Sequence, residues 1–410
     1  MAKITKIKEK LNFEKIYFYS ILLFAFTLPL SRAAVSFFVI LLPIIWIFEG
    51  NLKEKFSNIK INKALFFLSI FLFISFLYIF VSDDKKIALN ITRLDLYLFS
   101  SYIIYTSLKK QYIPKIINAF LFGMFISEII AYGVYFEIWH FKNATPEYPS
   151  PFMFHIDYSI FLAVSAIILL NKIISNKYQI KEKIIYLLFF ITVTGNLFIS
   201  VGRTGQVAFL VAIVVMFILH FKLHIKSILA SVILIFIILF SAYNLSPNFQ
   251  KKVFQANNDI EKMLSKNLSS SWGIRVSYWI LTYNIIKEKP FGNGLGDYVL
   301  AIKNELQRNE NRYKNYKLDK KFLTTNHPHN QYLLILLQMG FIGLILFIIS
   351  IYYLYKNFLA VKDEEFKQIS TLFLVIYTVG FFAEPLLIKQ FTLALFSLLV
   401  GLFLNAKKNL

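Results

Sequence analysis

Blocks of about twenty residues that are almost free of charge recur along the chain, and they constrain its fold more than any other feature. A transmembrane α-helix needs about twenty apolar residues to cross the hydrocarbon core of a bilayer. Hydrophobic residues make up 57% of the 410 residues, and aromatic residues 18%. Soluble proteins do not arrange their apolar residues in repeated blocks of this length, so the chain is expected to be an all-α polytopic membrane protein.

The apolar blocks and the polar links between them predict twelve transmembrane helices. The first two form a run that is too long for one helix and is broken at "LPLSR", which favours a tight hairpin. The predicted spans are 16–30, 33–48, 64–81, 88–107, 115–136, 156–171, 184–200, 206–221, 227–243, 330–354, 368–384 and 391–406.

Basic residues are divided unequally between the two sets of short links. One set holds 23 lysines and arginines and the other holds 7. Cytoplasmic links are the ones enriched in these residues, so both termini are expected in the cytoplasm. Spans one to nine then occupy 1–243, a large outward-facing loop occupies 244–329, and spans ten to twelve occupy 330–410. Topology explains the net charge of +21 better than binding to nucleic acid, and no nucleic-acid partner is predicted.

Within the loop, "SSSWGIRVSYWILTYNIIKEKPFGNGLGDY" predicts one amphipathic helix on the outer membrane surface. Ser271 is expected to cap its start and Pro290 to end it. The glycine-rich stretch that follows is expected to be a turn, because no strand precedes it. The residues that recur at helical spacing are Trp272, Val276, Trp279, Tyr283 and Ile286.

Two of the six histidines, His327 and His329, stand at the mouth of the tenth predicted span in "NHPHNQYLLILLQMGFIGLILF". They are either interfacial loop residues or a base or proton relay, which suits the pKa of histidine. Pro328 is expected to turn His327 away from the helix. The other histidines are scattered, no carboxylate cluster joins them and the chain has no cysteine, so no metal site and no cofactor are predicted.

Arg203 lies between two glycines in "ISVGRTGQVAFL", at the outer end of a predicted span. It is either a cation at head-group level or a clamp that offers a planar fork to a phosphate, with the glycines letting backbone amides approach as well. Arg275 lies among the aromatic residues of the loop helix, and Arg32 lies in the first outer turn. Together these outward groups indicate a pocket for an anionic lipid head group.

Three motifs resemble the O-antigen ligase family, which shares its signature region with O-antigen polymerases and bacterial O-linked oligosaccharyltransferases. They are "SVGRTG", "GIRVSYWILTYNIIKEKPFGNGLGDY" and "PHNQYLLILLQMGFIGLILF", and together they cover about residues 200–350. The family often has a glutamate where this chain has Gln338, so no acid–base role is assigned to Gln338. The resemblance also implies a GT-C-like arrangement with the large periplasmic loop between helices nine and ten.

The resemblance implies an enzyme of the bacterial inner membrane whose active site faces the periplasm. The donor would be a glycan on undecaprenyl pyrophosphate, and the acceptor a sugar hydroxyl of lipid A–core, with membrane lipids around both. His329 would act on the acceptor hydroxyl, while Arg203 and Arg275 would replace a metal at the pyrophosphate. Arg32, His327 and Asn330 are secondary candidates.

Three other functions remain open from the sequence. An O-antigen polymerase would use the same donor with a lipid-linked glycan as acceptor, and a protein O-oligosaccharyltransferase would modify serine or threonine. A transporter of twelve spans would be expected to have two related halves and polar groups near the membrane midplane. Here the notable polar groups gather at one predicted face instead.

Overall fold

The computed structural model describes residues 11–407, in which helices joined by turns and irregular links are the regular secondary structure, with two isolated β-bridges but no β-strand. Lys3, Lys6, Lys8, Lys10 and Lys408 contribute to the predicted cytoplasmic termini and lie outside the described residues.

Nineteen α-helices follow one another in the described part of the chain. They are α1 (Phe13–Thr27), α2 (Arg32–Glu49), α3 (Leu52–Ile61), α4 (Lys63–Val81), α5 (Lys85–Asp95), α6 (Phe99–Ser107), α7 (Ile113–Tyr135), α8 (His155–Ile174), α9 (Ile180–Ile199), α10 (Arg203–Phe221), α11 (Ile225–Leu245), α12 (Pro247–Leu264), α13 (Ser271–Glu288), α14 (Tyr298–Arg308), α15 (Glu310–Tyr313), α16 (Lys320–Leu323), α17 (Gln331–Leu359), α18 (Glu364–Gly380) and α19 (Gln390–Ala406).

Eight of the described helices are long and apolar enough to cross a membrane, namely α2, α4, α7, α8, α9, α10, α11 and α17. Each of the twelve predicted spans coincides with helix in the structure. The remaining four fall on α1, α18 and α19, which have 15, 17 and 17 residues, and on a bent pair of helices. The chain is therefore a multi-pass membrane protein in which eight helices meet the length for a full crossing.

Two local features differ from the prediction, and one agrees with it. The segment predicted as a single span at 88–107 is bent, because a short 3-10 helix at Leu96–Leu98 separates α5 from α6. The polar link after α2 forms an additional amphipathic helix, α3, which the apolar pattern did not predict. The break at "LPLSR" is confirmed, since α1 ends at Thr27 and α2 begins at Arg32.

The helix α8 lies at the centre of the helical bundle. It packs against α9, α10 and α18, and it is buried over almost its whole length. In contrast, α11 is at the periphery and exposes large apolar side chains such as Phe236 and Phe240. A helix that is apolar all round and largely exposed fits contact with lipid, whereas α8 fits the protein interior.

The helix α17 is kinked at Gly340, where the backbone φ is 60°, a conformation that glycine adopts at little cost. The kink frees backbone groups, and the glycine-rich turn after α13 satisfies them. The Phe341 N–H donates to the Pro290 carbonyl at 3.0 Å, and the Gly294 N–H donates to the Gln338 carbonyl at 3.0 Å. The predicted turn is thus confirmed, and it also fixes the position of α13 relative to α17.

The segment between α11 and α17 contains five helices, α12 to α16, where the sequence predicted one. The predicted one, α13, ends before Pro290 as expected. Its cap is Ser270 rather than Ser271, because the Ser270 side chain accepts a hydrogen bond from the Gly273 N–H at 3.2 Å. One face of α13 is buried against α14 and α17, and the opposite face exposes Trp272 and Trp279.

Candidate active site

The turn between α18 and α19 is tied to the start of α17. The side chain of Asn330 caps α17, and its amide group donates a hydrogen bond to the Phe382 carbonyl at 3.0 Å. The Gln331 N–H donates to the Phe381 carbonyl at 2.8 Å. These bonds bring the chain that enters α17 against the turn 381–389, although the two are some fifty residues apart in the sequence.

Glu384 lies in this turn and contacts three basic side chains. Its own side chain is only 1% exposed. Its Oε2 lies 2.8 Å from Nδ1 of His329, and its Oε1 lies 2.7 Å from Nζ of Lys389 and 3.7 Å from Nε2 of His327. Lys389 in turn lies 3.4 Å from Oδ1 of Asp157 on α8. The network therefore joins α8, the start of α17 and the turn that carries Glu384.

The charge of Glu384 determines which ring nitrogen of His329 donates to it. Burial acts to raise the pKa of Glu384, but the hydrogen bond from His329 and the charge of Lys389 outweigh it and lower the pKa to about 2. The carboxylate is therefore ionised at neutral pH and can only accept hydrogen bonds. From this contact we assign the proton of neutral His329 to Nδ1, which leaves Nε2 free to accept a proton.

His327 also faces Glu384, so the prediction that Pro328 turns it away is wrong. The rings of His327 and His329 are 5.1 Å apart between centroids. The segment bends here, since the Asn330 N–H donates to the Pro328 carbonyl at 2.7 Å, and both imidazoles reach the one carboxylate. Burial lowers the pKa of His327, and the charge of Glu384 opposes that shift.

Arg203, the first residue of α10, points to α12. Its Nη2 donates to the Lys252 carbonyl at 3.3 Å and to Oε1 of Gln255 at 3.2 Å. Its Nη1 lies 3.8 Å from Oδ2 of Asp259 and is buried, and it donates no hydrogen bond to any described residue. Nη1 is therefore a buried donor that lies in an ion pair with Asp259.

The two glycines beside Arg203 serve packing. A Cβ at Gly202 or at Gly205 would collide with Ser159 on α8, and the Gly205 N–H already donates to the Ser159 hydroxyl at 3.1 Å. The expectation that both glycines open backbone amides to a phosphate is wrong for Gly205. The glycines instead let α10 approach α8 closely, which fixes the position of Arg203.

Arg275 on α13 donates through Nη1 to the Ser271 carbonyl at 2.9 Å and to the Ser271 hydroxyl at 3.0 Å. Burial lowers the pKa of Arg275, the charge of Glu384 opposes this shift, and the charge of Arg203 adds to it. Arg275 thus lies within electrostatic range of both groups. No described hydrogen bond or ion pair joins either arginine directly to His329.

The secondary candidates Arg32 and Asn330 have partners that fix them in place. Nε of Arg32 donates to Oε1 of Gln390 at 2.7 Å, next to Lys389 in the chain, so Arg32 lies at the edge of the network. Asn330 is 2% exposed, and both ends of its side-chain amide are used in tying the turn to α17. The structure therefore gives Asn330 a positioning role.

Sequence reasoning missed Glu384 and its partners Lys389 and Asp157. In "FFAEPLLIKQF" Glu384 is a single carboxylate in a short apolar link, and an ionisable residue in such a setting is a functional candidate by default. That signal could have found Glu384, but not its partner. His329 is 55 residues away in the sequence, and only the fold brings the two together.

The side chains of His327, His329 and Glu384 weaken the sequence-based argument against a metal site. The sequence shows no carboxylate cluster beside the histidines, but the fold brings one carboxylate, that of Glu384, to His327 and His329. One ligand atom from each of these two residues and one from Glu384 lie within 4.8 Å of one another. Two imidazoles and a carboxylate are a ligand set that transition metals accept.

Comparison with known proteins confirms the resemblance over the middle of the chain. Residues 187–348 match the family model described as O-antigen ligase. A Rickettsia conorii protein with the provisional name polysaccharide ligase is 34% identical over 121 residues, which is 29% of this chain and 28% of that protein. A Rickettsia felis protein with the same provisional name is 33% identical over 121 residues, again 29% of this chain and 28% of that protein.

The family match and the network around Glu384 overlap only in part. The matched region runs from α9 into α17 and contains Arg203, Arg275 and both histidines, whereas Glu384 lies beyond its end. The match to each Rickettsia protein likewise spans little more than a quarter of that protein's length. Glu384, Lys389 and Asp157 thus lie in parts of this chain outside the matched region, whereas the histidines that contact Glu384 lie inside it.

Proposed function

We propose, from the match of residues 187–348 to the O-antigen ligase family, that this protein transfers a glycan from undecaprenyl pyrophosphate to a sugar hydroxyl of lipid A–core. The observation that carries the proposal is the 2.8 Å contact between His329 and the buried, ionised Glu384. It supplies an oriented base whose free nitrogen can accept a proton, in a region that two arginines make positive.

The reaction follows from these groups. Nε2 of His329 takes the proton of the acceptor hydroxyl while that oxygen bonds to the anomeric carbon of the donor. The bond from the anomeric carbon to the pyrophosphate oxygen breaks, and undecaprenyl pyrophosphate leaves with the electron pair. Arg203 and Arg275 stabilise the negative charge that develops on it, a role that a metal ion fills in other enzymes. Attack opposite to the leaving group inverts the anomeric centre, which NMR of the product would test.

The proposal includes an arrangement in the membrane. Twelve helices cross it in a GT-C-like order, both termini are cytoplasmic, and the segment between α11 and α17 lies on the periplasmic side of the bacterial inner membrane. The exposed Trp272 and Trp279 on α13 support this placement, because aromatic side chains favour the membrane surface. Donor and acceptor lipids would then both reach the site from the outer leaflet.

The test is deletion of the gene followed by electrophoresis of the lipopolysaccharide. We expect the loss of all O-chains, long and short, from the core, with restoration by the wild-type gene. Survival of a single repeat on the core would instead indicate a polymerase. Unchanged lipopolysaccharide with loss of glycoproteins would indicate a protein O-oligosaccharyltransferase, and both outcomes would overturn the ligase proposal.

A further inference from the structure

His327, His329 and Glu384 form a compact group of ligands that the proposed transfer does not use in full. The transfer needs one nitrogen of His329 and the carboxylate that orients it. His327 has no part in that chemistry, yet its Nε2 is 3.7 Å from Oε1 of Glu384. The two imidazole side chains are 26% and 21% exposed and the carboxylate is 1% exposed, so a small ion can enter from one side while a buried anion holds it.

The distances between these groups are near those of a tetrahedral metal site. With metal–ligand bonds of about 2.0–2.1 Å, ligand atoms of a tetrahedral site are about 3.3 Å apart. Nδ1 of His329 lies 2.8 Å from Oε2 of Glu384, and Nε2 of His327 lies 3.7 Å from the other oxygen, Oε1. One ligand atom from each of the three residues lies within 4.8 Å of the other two, so a small shift of the side chains would reach this spacing. Imidazole and carboxylate ligands suit Zn²⁺, Co²⁺ and Ni²⁺ rather than Mg²⁺ or Ca²⁺. Three protein ligands leave a fourth position for water.

We infer that His327, His329 and Glu384 bind a transition-metal ion of the Zn²⁺ class, and that the bound ion inhibits the enzyme. The ion enters between Nδ1 of His329 and Oε2 of Glu384 and replaces the hydrogen bond there. The proton then moves from Nδ1 to Nε2, because a neutral imidazole carries one proton on the nitrogen that is not bound to metal. Nε2 becomes a donor and no longer accepts the proton of the acceptor hydroxyl. This inhibition rests on the proposed function, whereas binding of the ion does not.

Lys389 limits the strength of the site. Its ammonium group lies 2.7 Å from Oε1 of Glu384 and 3.4 Å from Asp157, so it stays beside the bound ion with Asp157 as its second partner. A neighbouring positive charge opposes cation binding. The site is therefore expected to be reversible and to lose its ion to EDTA, unlike a closed structural zinc site.

Binding is tested on the purified full-length chain in detergent, without a polyhistidine tag and after treatment with EDTA. Isothermal titration calorimetry with zinc chloride should show one ion per chain. His327→Ala and Glu384→Gln should each weaken binding tenfold or more. His140→Ala is the matched control, because this exposed histidine lies outside the cluster and should leave binding unchanged. Absence of binding to the wild type, or equal binding by all variants, would overturn the metal site whatever the enzyme's substrate.

Inhibition is tested separately by glycan transfer in membranes. Membranes washed with EDTA should remain active, added Zn²⁺ should lower the rate tenfold or more, and renewed EDTA should restore it. If Zn²⁺ binds to the purified chain but leaves transfer unchanged, the inhibitory part of the inference is wrong while the site stands. If EDTA abolishes transfer and Zn²⁺ restores it, the ion is a cofactor, and both inhibition and metal-independent transfer are wrong.

Discussion

Nη2 of Arg203 donates hydrogen bonds to α12. Nη1 is buried and donates no hydrogen bond to any described residue. Exchange for lysine keeps the charge but removes the fork that can hold two oxygens of a phosphate. We expect Arg203→Lys to insert normally and to lose roughly tenfold or more of its activity, equivalent to about 1.4 kcal/mol. Transfer in membranes, normalised to protein abundance, measures the effect. Near-normal activity would show Arg203 to be a general interfacial cation.

The two histidines share Glu384 but should respond differently to substitution. His329→Ala removes the proposed base and should lower the rate by a factor of order 10²–10⁴. His327→Ala should have the milder effect, because its contact to Glu384 is the longer one, at 3.7 Å. Donor binding should survive both changes, since the arginines are proposed to hold the pyrophosphate. A lipopolysaccharide gel with an immunoblot for abundance compares them, and full ligation by His329→Ala would remove the basis for a catalytic histidine.

In the proposed transfer Glu384 acts through His329, so its substitution should affect turnover more than donor affinity. Glutamine has nearly the same shape but offers an amide that can donate to Nδ1, which favours the wrong tautomer of His329. We expect Glu384→Gln to lower kcat about 10²-fold or more while the KM for donor stays within about twofold. Glu384→Asp, which keeps the charge, should recover part of the rate. Equal loss in both variants, together with reduced abundance, would indicate a purely structural role.

The lowered pKa of Glu384 predicts how the stability of the folded protein depends on pH. The pKa of Glu384 in the folded protein is about 2, below the ordinary value of 4.5. The ionised carboxylate therefore contributes its full stabilisation of the folded protein above pH 4.5. The contribution is lost as the pH falls from 4.5 towards 2. The difference in Tm between wild type and Glu384→Gln should therefore be constant near neutral pH and shrink below 4.5, and a difference that grows with acidity would contradict the ion-pair network.

At the scale of helices, the kink in α17 depends on Gly340. Alanine there would have to adopt a φ of 60°, and its Cβ would collide with the Pro290 carbonyl. We expect Gly340→Ala to lower the Tm clearly and to reduce activity. The hydrogen bonds between the kink and the glycine-rich turn would break, and these bonds fix α13 relative to α17. Gly195→Ala is the control, because the nearest obstacle there is only the end of the Tyr132 side chain. Equal stability of the two variants would argue against the anchoring role.

The helices could be predicted from the sequence, whereas the contact between His329 and Glu384 in the candidate site could not. Apolar blocks of the length of a membrane crossing mark their helices directly, which is why 33–48 was predicted where α2 runs from Arg32 to Glu49. The bend at Leu96–Leu98 was not predicted, because no glycine or proline marks it and its own residues are apolar. The contact of His329 with Glu384 depends on packing between distant segments, and one sequence carries no record of such a pair.

At the scale of the whole molecule, the absence of cysteine allows the proposed orientation to be tested directly. Single cysteines can be placed at exposed positions on opposite sides, Asn176→Cys after α8 and Gln307→Cys in α14. In intact spheroplasts, a thiol reagent that does not cross membranes should label Gln307→Cys and spare Asn176→Cys. Permeabilised cells should show labelling of both, which serves as the control. The opposite pattern would invert the orientation and place the site in the cytoplasm.

The tie between the start of α17 and the turn that precedes α19 has a consequence for biosynthesis. Membrane insertion proceeds from the N-terminus, so the region that matches the ligase family leaves the ribosome before Glu384 has been translated. Until then His329 has no carboxylate beside it, and the N-terminal end of α17 lacks the carbonyl groups of 381–382 to which it is bound in the finished protein. In the proposed transfer, the base would thus be complete only with the last turn of the chain, and a half-made protein would remain inert although already in the membrane.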